Sequence, residues 1–317
     1  YDPITVDSEI PLQPAFDAPR EFVKEYPLPE GDSEDGKFWF ARQWVVGENT
    51  DPVLRTAFQV LEYALLGFQG APLKQGLLDA GIGGEVMGGY QKYQRQPYFD
   101  VVVKDTDANR KADFIRVVDD TLKKAAEEGI GERALLAALN SMEFQVRECD
   151  TGSTPKGLIY GIECFDSWLY DADPLMHLEY EETFAFLRKN LNTGYFEDLI
   201  RTYLIGNPHS TLVMLAPKAG LAERTDAALA ERLAAYKASL SKEEIDRLVQ
   251  QTQALADYQE TPSPKALMDR LPRLTRDDIE KDVKYRECVK KEIAGIPVYH
   301  SRVDTNRITY LRLLFDV

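Results

Sequence analysis

Residues 221–259 contain neither Pro nor Gly and are rich in Ala, Leu, Glu and Lys. That composition commits the stretch to helix. In its middle, Ser241-Lys-Glu-Glu244 is a capping box, which starts a new helix instead of extending the old one. The stretch therefore reads as two helices joined by a tight turn. Leu221, Leu229, Leu233, Tyr236 and Leu240 line the first arm, and Ile245, Leu248, Val249, Thr252 and Leu255 the second. Such a hairpin divides the chain into a part before Gly220 and a part after Pro262.

The first part alternates strand and helix signals. Residues 1–36 are acidic and Pro-rich (Pro3, Pro11, Pro14, Pro19, Pro27, Pro29), which predicts an extended lead-in lying along the surface of something else. Residues 37–46 form the first clear strand, and Asp51-Pro52 opens an amphipathic helix to about Leu66. A Gly-rich stretch runs from Gly67 to Gly89, with a short helix over 72–80 inside it. Residues 98–104 are a strand rich in β-formers. Helices are predicted over 109–128, 131–149 and 156–170, from Asp173-Pro174 onward, and over 194–204. A strand over 210–215, closed by Pro217, completes the set.

This order predicts an α+β fold. It is a two-layer sandwich, mostly antiparallel sheet with helices on one face, followed by the long helical hairpin. The expected domains are a lead-in at 1–29, the α+β domain at 30–217, the hairpin at 218–262, a linker at 263–290, and the first strands of a further domain at 291–317. The apolar run 310–317 reads as a strand in need of partners, which carries the expectation that the chain is a piece of a longer protein.

Composition restricts function. A net charge of −15 argues against nucleic acid, whose phosphates demand clustered Lys and Arg, and suits either basic peptides or plain solubility. No window reaches the roughly 20 apolar residues that span a bilayer. Cys149, Cys164 and Cys288 lack CxxC spacing and read as reduced thiols, in keeping with a bacterial cytoplasm or, alternatively, an organellar matrix.

With three His there is little scope for metal chemistry. Neither helical zinc-protease spacing occurs. His177 with Glu181 and Glu182 is the one local grouping that could touch an ion, but a surface His near a helix start explains it better. His209 reads as a turn residue and His300 stands outside any cluster. The glycines match no phosphate loop, and by themselves they read as tight turns ahead of close backbone approach by an extended peptide.

Taken together, several segments resemble the pitrilysin/insulinase zinc metallopeptidase family, in its presequence protease and falcilysin branch. They are Leu191-Asn-Thr-Gly-Tyr-Phe-Glu-Asp-Leu-Ile-Arg-Thr-Tyr-Leu-Ile-Gly-Asn-Pro-His209, the Ala234–Glu244 turn region, Tyr258-Gln-Glu-Thr-Pro262 and Leu271-Pro-Arg-Leu-Thr-Arg-Asp-Asp-Ile279. The resemblance covers nearly the whole chain. It implies four related α+β domains closing in two halves around a chamber, with zinc on an inverted His-x-x-Glu-His helix in the first domain.

In that frame this chain corresponds to the second, non-catalytic domain, the hinge hairpin and the start of the third domain. No zinc ligand and no catalytic residue fall within it. Its partners would be unstructured peptides and the remaining domains, with neither nucleic acid nor membrane. The resemblance also implies a peptide-docking exosite at Leu66–Leu73 and Val86–Tyr90, giving Gly67, Gly70, Ala71, Leu73, Gly88, Gly89 and Tyr90 as substrate-binding candidates. The alternative is a non-peptidase binding subunit of the same fold that partners a separate catalytic chain.

Overall fold

A computed structural model describes residues 4–279, 281–282 and 287–315, which fall into two compact units, 1–222 with 306–317, and 223–305. In the first unit a five-stranded sheet has the order β1-β5-β2-β4-β3. Its strands are β1 (Arg20–Leu28), β2 (Phe38–Val45), β3 (Glu85–Gln91), β4 (Tyr98–Thr106) and β5 (Ser210–Ala219). All neighbours are antiparallel except β1 and β5. Around it lie α1 (Pro52–Glu62), α2 (Pro72–Asp79), α3 (Lys111–Glu128), α4 (Glu132–Glu148), α5 (Lys156–Trp168), α6 (Glu181–Lys189) and α7 (Tyr195–Tyr203).

The period of two places one side of each strand in the core. Phe40 and Trp44 of β2 and Phe99, Val101 and Val103 of β4 are fully buried, while their neighbours Ala41, Gln43 and Val102 are half-buried on the other side. The helices supply the opposing layer: Phe58 and Leu61 from α1, Phe114, Val118 and Leu122 from α3, Leu139 from α4, and Phe196 and Ile200 from α7. Phe58 is the aromatic centre, with ring centroids 5.6 Å from Tyr90, 6.3 Å from Phe99 and 5.6 Å from Tyr203.

Local chemistry sets the start of α1. Asp51 caps it by accepting from the Leu54 N–H at 2.9 Å, and Pro52 occupies the first turn. The helix then loosens into a π-helical turn, Tyr63–Gly67.

Four expectations shift. Residues 20–28, read as part of the extended lead-in, are hydrogen-bonded into the sheet as β1. Pro217 does not close β5, because the strand runs on to Ala219 against β1 with Pro217 opposite Tyr26. Asp173-Pro174 opens a succession of turns, and the helix begins only at Glu181. Residues 310–315 adopt no strand in the absence of any pairing partner among the described residues; positions 316 and 317 of that run lie outside them.

In the second unit, α8 (Leu221–Ser239) and α9 (Lys242–Glu260) form the hairpin. The capping box is complete: Glu244 N–H donates to Ser241 Oγ at 3.2 Å and Ser241 N–H to Glu244 Oε2 at 2.8 Å. No residue of either helix is buried. A short helix α10 (Lys265–Met268) and the antiparallel pair β6 (Cys288–Ile293) and β7 (Ile296–Ser301) come next. The strand pair thus starts at Cys288, inside the stretch read as linker to residue 290.

Candidate peptide-docking edge

β3 is the last strand of its sheet, paired on one side with β4, from Glu85↔Lys104 to Gln91↔Tyr98. An edge strand leaves backbone N–H and C=O groups open to a further extended chain. The π turn and α2 both pack against β3, so the two Gly-containing segments singled out in the sequence meet in space.

The two adjacent glycines of β3 have separate structural reasons. Gly88 sits at φ +133°, and a Cβ there would lie 2.2 Å from the Asp100 carbonyl oxygen of β4. A Cβ on Gly89 would lie 2.7 Å from Glu62 Oε1, so the missing side chain makes room for a carboxylate. That carboxylate is bonded: Glu62 Oε2 accepts from the Tyr90 N–H at 3.1 Å. One residue earlier, Gly89 N–H donates to Asp100 Oδ1 at 2.8 Å. Two consecutive amides of the strand are therefore held by side-chain carboxylates.

Burial pushes both carboxyls above their usual range. For Glu62 the Asp100 charge adds to the rise, while the Tyr90 N–H and Lys92 oppose it. For Asp100 the Gly89 N–H is the main opposing influence. Tyr90 is itself buried against Phe58, and desolvation raises its phenol.

The other candidates divide. Gly67 closes the π turn, where a Cβ would come within 3.2 Å of the Tyr63 ring. Gly70 lies at φ +88° in an open turn. Ala71 and Leu73 are fully buried, so their side chains pack the core and only their backbone could face a ligand. Sequence reasoning missed Glu62 and Asp100. The available signal was a single acid, Glu62, interrupting the apolar run Val60-Leu61 … Ala64-Leu65-Leu66.

His177 is not part of a metal cluster with Glu181 and Glu182. Glu181 pairs with Arg147 at 3.1 Å. The His177 ring turns inward, its Nε2 buried without a partner, and burial together with Arg55 and Lys92 pulls its pKa down to about 4. Cations beside a desolvated imidazole disfavour a metal ion there, so this residue does not fit the zinc that the resemblance implies. No group of three His, Cys, Asp or Glu suited to a metal occurs among the described residues. No helix among them is long and apolar enough to cross a membrane.

The mixed sheet, the helical layer and the long hairpin define a domain of the peptidase M16 fold. The solved structure of a protease from Helicobacter pylori shares that fold, with TM-score 0.50 and 14% identity, over 68% of this chain and 48% of that one. The family of segments associated with subfamily C of the M16 peptidases matches residues 215–317. Protein HypA of Clostridium perfringens is 38% identical over 311 residues, 98% of this chain and 32% of that protein. Presequence protease 1 of Arabidopsis thaliana is 29% identical over 98% of this chain and 29% of its own length. The chain thus spans about a third of the length of these relatives, and it is a pitrilysin-family, presequence-protease-like segment.

Proposed function

We propose that this chain is the non-catalytic peptidase-like domain and hinge hairpin of a larger zinc metalloendopeptidase that degrades short unstructured peptides. The domain forms chamber wall and exosite, zinc is bound by another part of the parent protein, and the setting is the bacterial cytoplasm. In this reading residues 30–217 are the exosite domain, 218–262 the hinge, and the strands from 291 the beginning of the next domain.

The observation that carries the reading is the unpaired outer side of β3 beside the Gly67–Gly70 turn, in a chain whose relatives include presequence proteases. A peptide added to this edge would be gripped through its backbone, which holds many sequences without reading any of them. The chain itself supplies no water-activating centre in this scheme; it positions the substrate.

Hydrogen exchange on the full-length protein tests the docking role. Adding an unstructured peptide should slow exchange across residues 85–91. Unchanged exchange there, with protection elsewhere, removes the exosite from β3.

A further inference from the structure

α5 is mounted inside out. Its buried residues are Asp166 and Ser167. Leu158, Ile162, Phe165 and Leu169 recur at helical spacing on one stripe and are 56%, 46%, 51% and 64% exposed, with Trp168 beside them at 59%. The Phe165 and Trp168 rings stack with centroids 5.7 Å apart. Five side chains of this size, half-exposed, present about 500 Å², the upper range of apolar patches on soluble monomers.

Polar contacts hold the other side. Arg55 Nη2 reaches Asp166 Oδ2 at 2.5 Å and Glu163 Oε2 at 3.0 Å. Asn49 Nδ2 donates to the Asp166 carbonyl at 2.8 Å, Lys92 pairs with Glu163 at 3.2 Å, and Ser167 Oγ donates to the Asp173 carbonyl at 2.8 Å. A surface helix ordinarily does the reverse, burying its apolar stripe and solvating its charges. Here the ion pairs fix the helix so that the stripe points outward.

We infer that this stripe is an interface within the parent protein, covered by the part of the chain that continues from residues 311–315. Those residues lie in the same compact unit as α5. Asn306 Nδ2 donates to the Arg147 carbonyl at 3.1 Å, and Tyr310 Oη to Glu148 Oε1 at 2.7 Å, both at the end of α4. Lys156, the first residue of α5, donates to the carbonyl of that same Glu148 at 3.3 Å. The outgoing chain is therefore anchored at the start of the apolar helix. Leu311, Leu313, Leu314 and Phe315 come next at 79%, 69%, 96% and 80% exposed. Two neighbouring apolar surfaces, one on α5 and one on this run, both leave water if the structure continuing from 315 folds over α5. The relatives, about three times as long, have the chain to do so.

The inference rests on the reading of this chain as part of a longer protein. Its test is photo-cross-linking in the full-length protein carrying Phe165→p-benzoylphenylalanine, an exposed site where the larger ring costs no packing. Irradiation and peptide mapping should join position 165 to sequence beyond residue 317. A cross-link to sequence preceding residue 1, a cross-link to a second molecule, or none at all overturns it. The readout does not depend on peptide cleavage. A full-length protein that cross-links as expected but cleaves nothing would refute the peptidase reading alone.

Discussion

The Tyr90 amide donates to the Glu62 carboxylate at 3.1 Å, so the edge strand proposed to receive a peptide already has one of its N–H groups occupied by α1. An added strand that needs this donor must displace Glu62 first. The carboxylate thus guards the edge against indiscriminate pairing, the usual hazard of an exposed strand.

Replacing Glu62 by Ala frees the donor. Peptide affinity of the full-length protein, followed by fluorescence anisotropy of a labelled unstructured peptide, should rise several-fold. The same change should lower stability by about 1–3 kcal/mol, because a partly desolvated amide loses its acceptor. Weaker binding in a protein that still folds would show that Glu62 helps to hold the peptide.

Gly88 is a structural requirement before it is a functional one. Gly88→Ala should cost about 2 kcal/mol or more, because the new Cβ would meet the Asp100 carbonyl oxygen at 2.2 Å from a strained φ. Gly161→Ala is the contrast. That glycine lies within α5 with nothing within 4 Å of the added methyl, and the change should stabilise by about 0.5–1 kcal/mol. Chemical denaturation of the two variants reads both effects; equal and small changes would contradict the close crossing of β3 and β4.

Phe58→Ala should cost about 3–5 kcal/mol, because a fully buried ring in contact with Tyr90, Phe99 and Tyr203 leaves a cavity the sheet cannot close. A thermal midpoint close to the parent's would mean that the core is not organised around this residue.

The cluster at α5 carries two opposed pH responses. Burial holds His177 near pKa 4, below its ordinary 6.5, so the unfolded chain takes up a proton first as pH falls. That contribution is present above about pH 6.5 and is lost on descending towards 4. Burial pushes Asp166 up to about 6 from 3.8, with Glu163 adding to the rise and Arg55 opposing it. The folded state therefore binds that proton first, and stability gains as pH falls from about 6 to 4. The two slopes oppose each other in one window. Relative to the parent, His177→Gln should become more stable as pH falls from 6.5 to 4, and Asp166→Asn less stable. Urea midpoints across that range decide it; parallel curves for all three proteins would contradict the burial of the cluster.

Much of the fold was legible because its signals are local. Asp51-Pro52 starts α1, Gly129 stops α3, and Ser241 with Glu244 starts α9, each through neighbours a few residues away. β1 was not legible, since its Pro-bounded acidic sequence becomes a strand only through pairing with β5, nearly two hundred positions later. Pro217 misled for the same reason: an expected stop is tolerated opposite Tyr26. At the candidate site, the glycines stood out as residue types. Their reasons did not, because Glu62 and Asp100 reach them across the tertiary fold. The inversion of α5 was equally hidden. Its sequence looks amphipathic either way, and only Arg55 decides which side faces inward.

The most direct test of the central proposal is cleavage of a fluorogenic unstructured peptide, measured for this chain alone with added zinc and for the full-length product of its gene. Zinc-dependent cleavage by the full-length protein and none by this chain is the expected result, and it would leave docking and closure as the work of these residues. Zinc-dependent cleavage by this chain alone would contradict the proposal and require a metal centre within it.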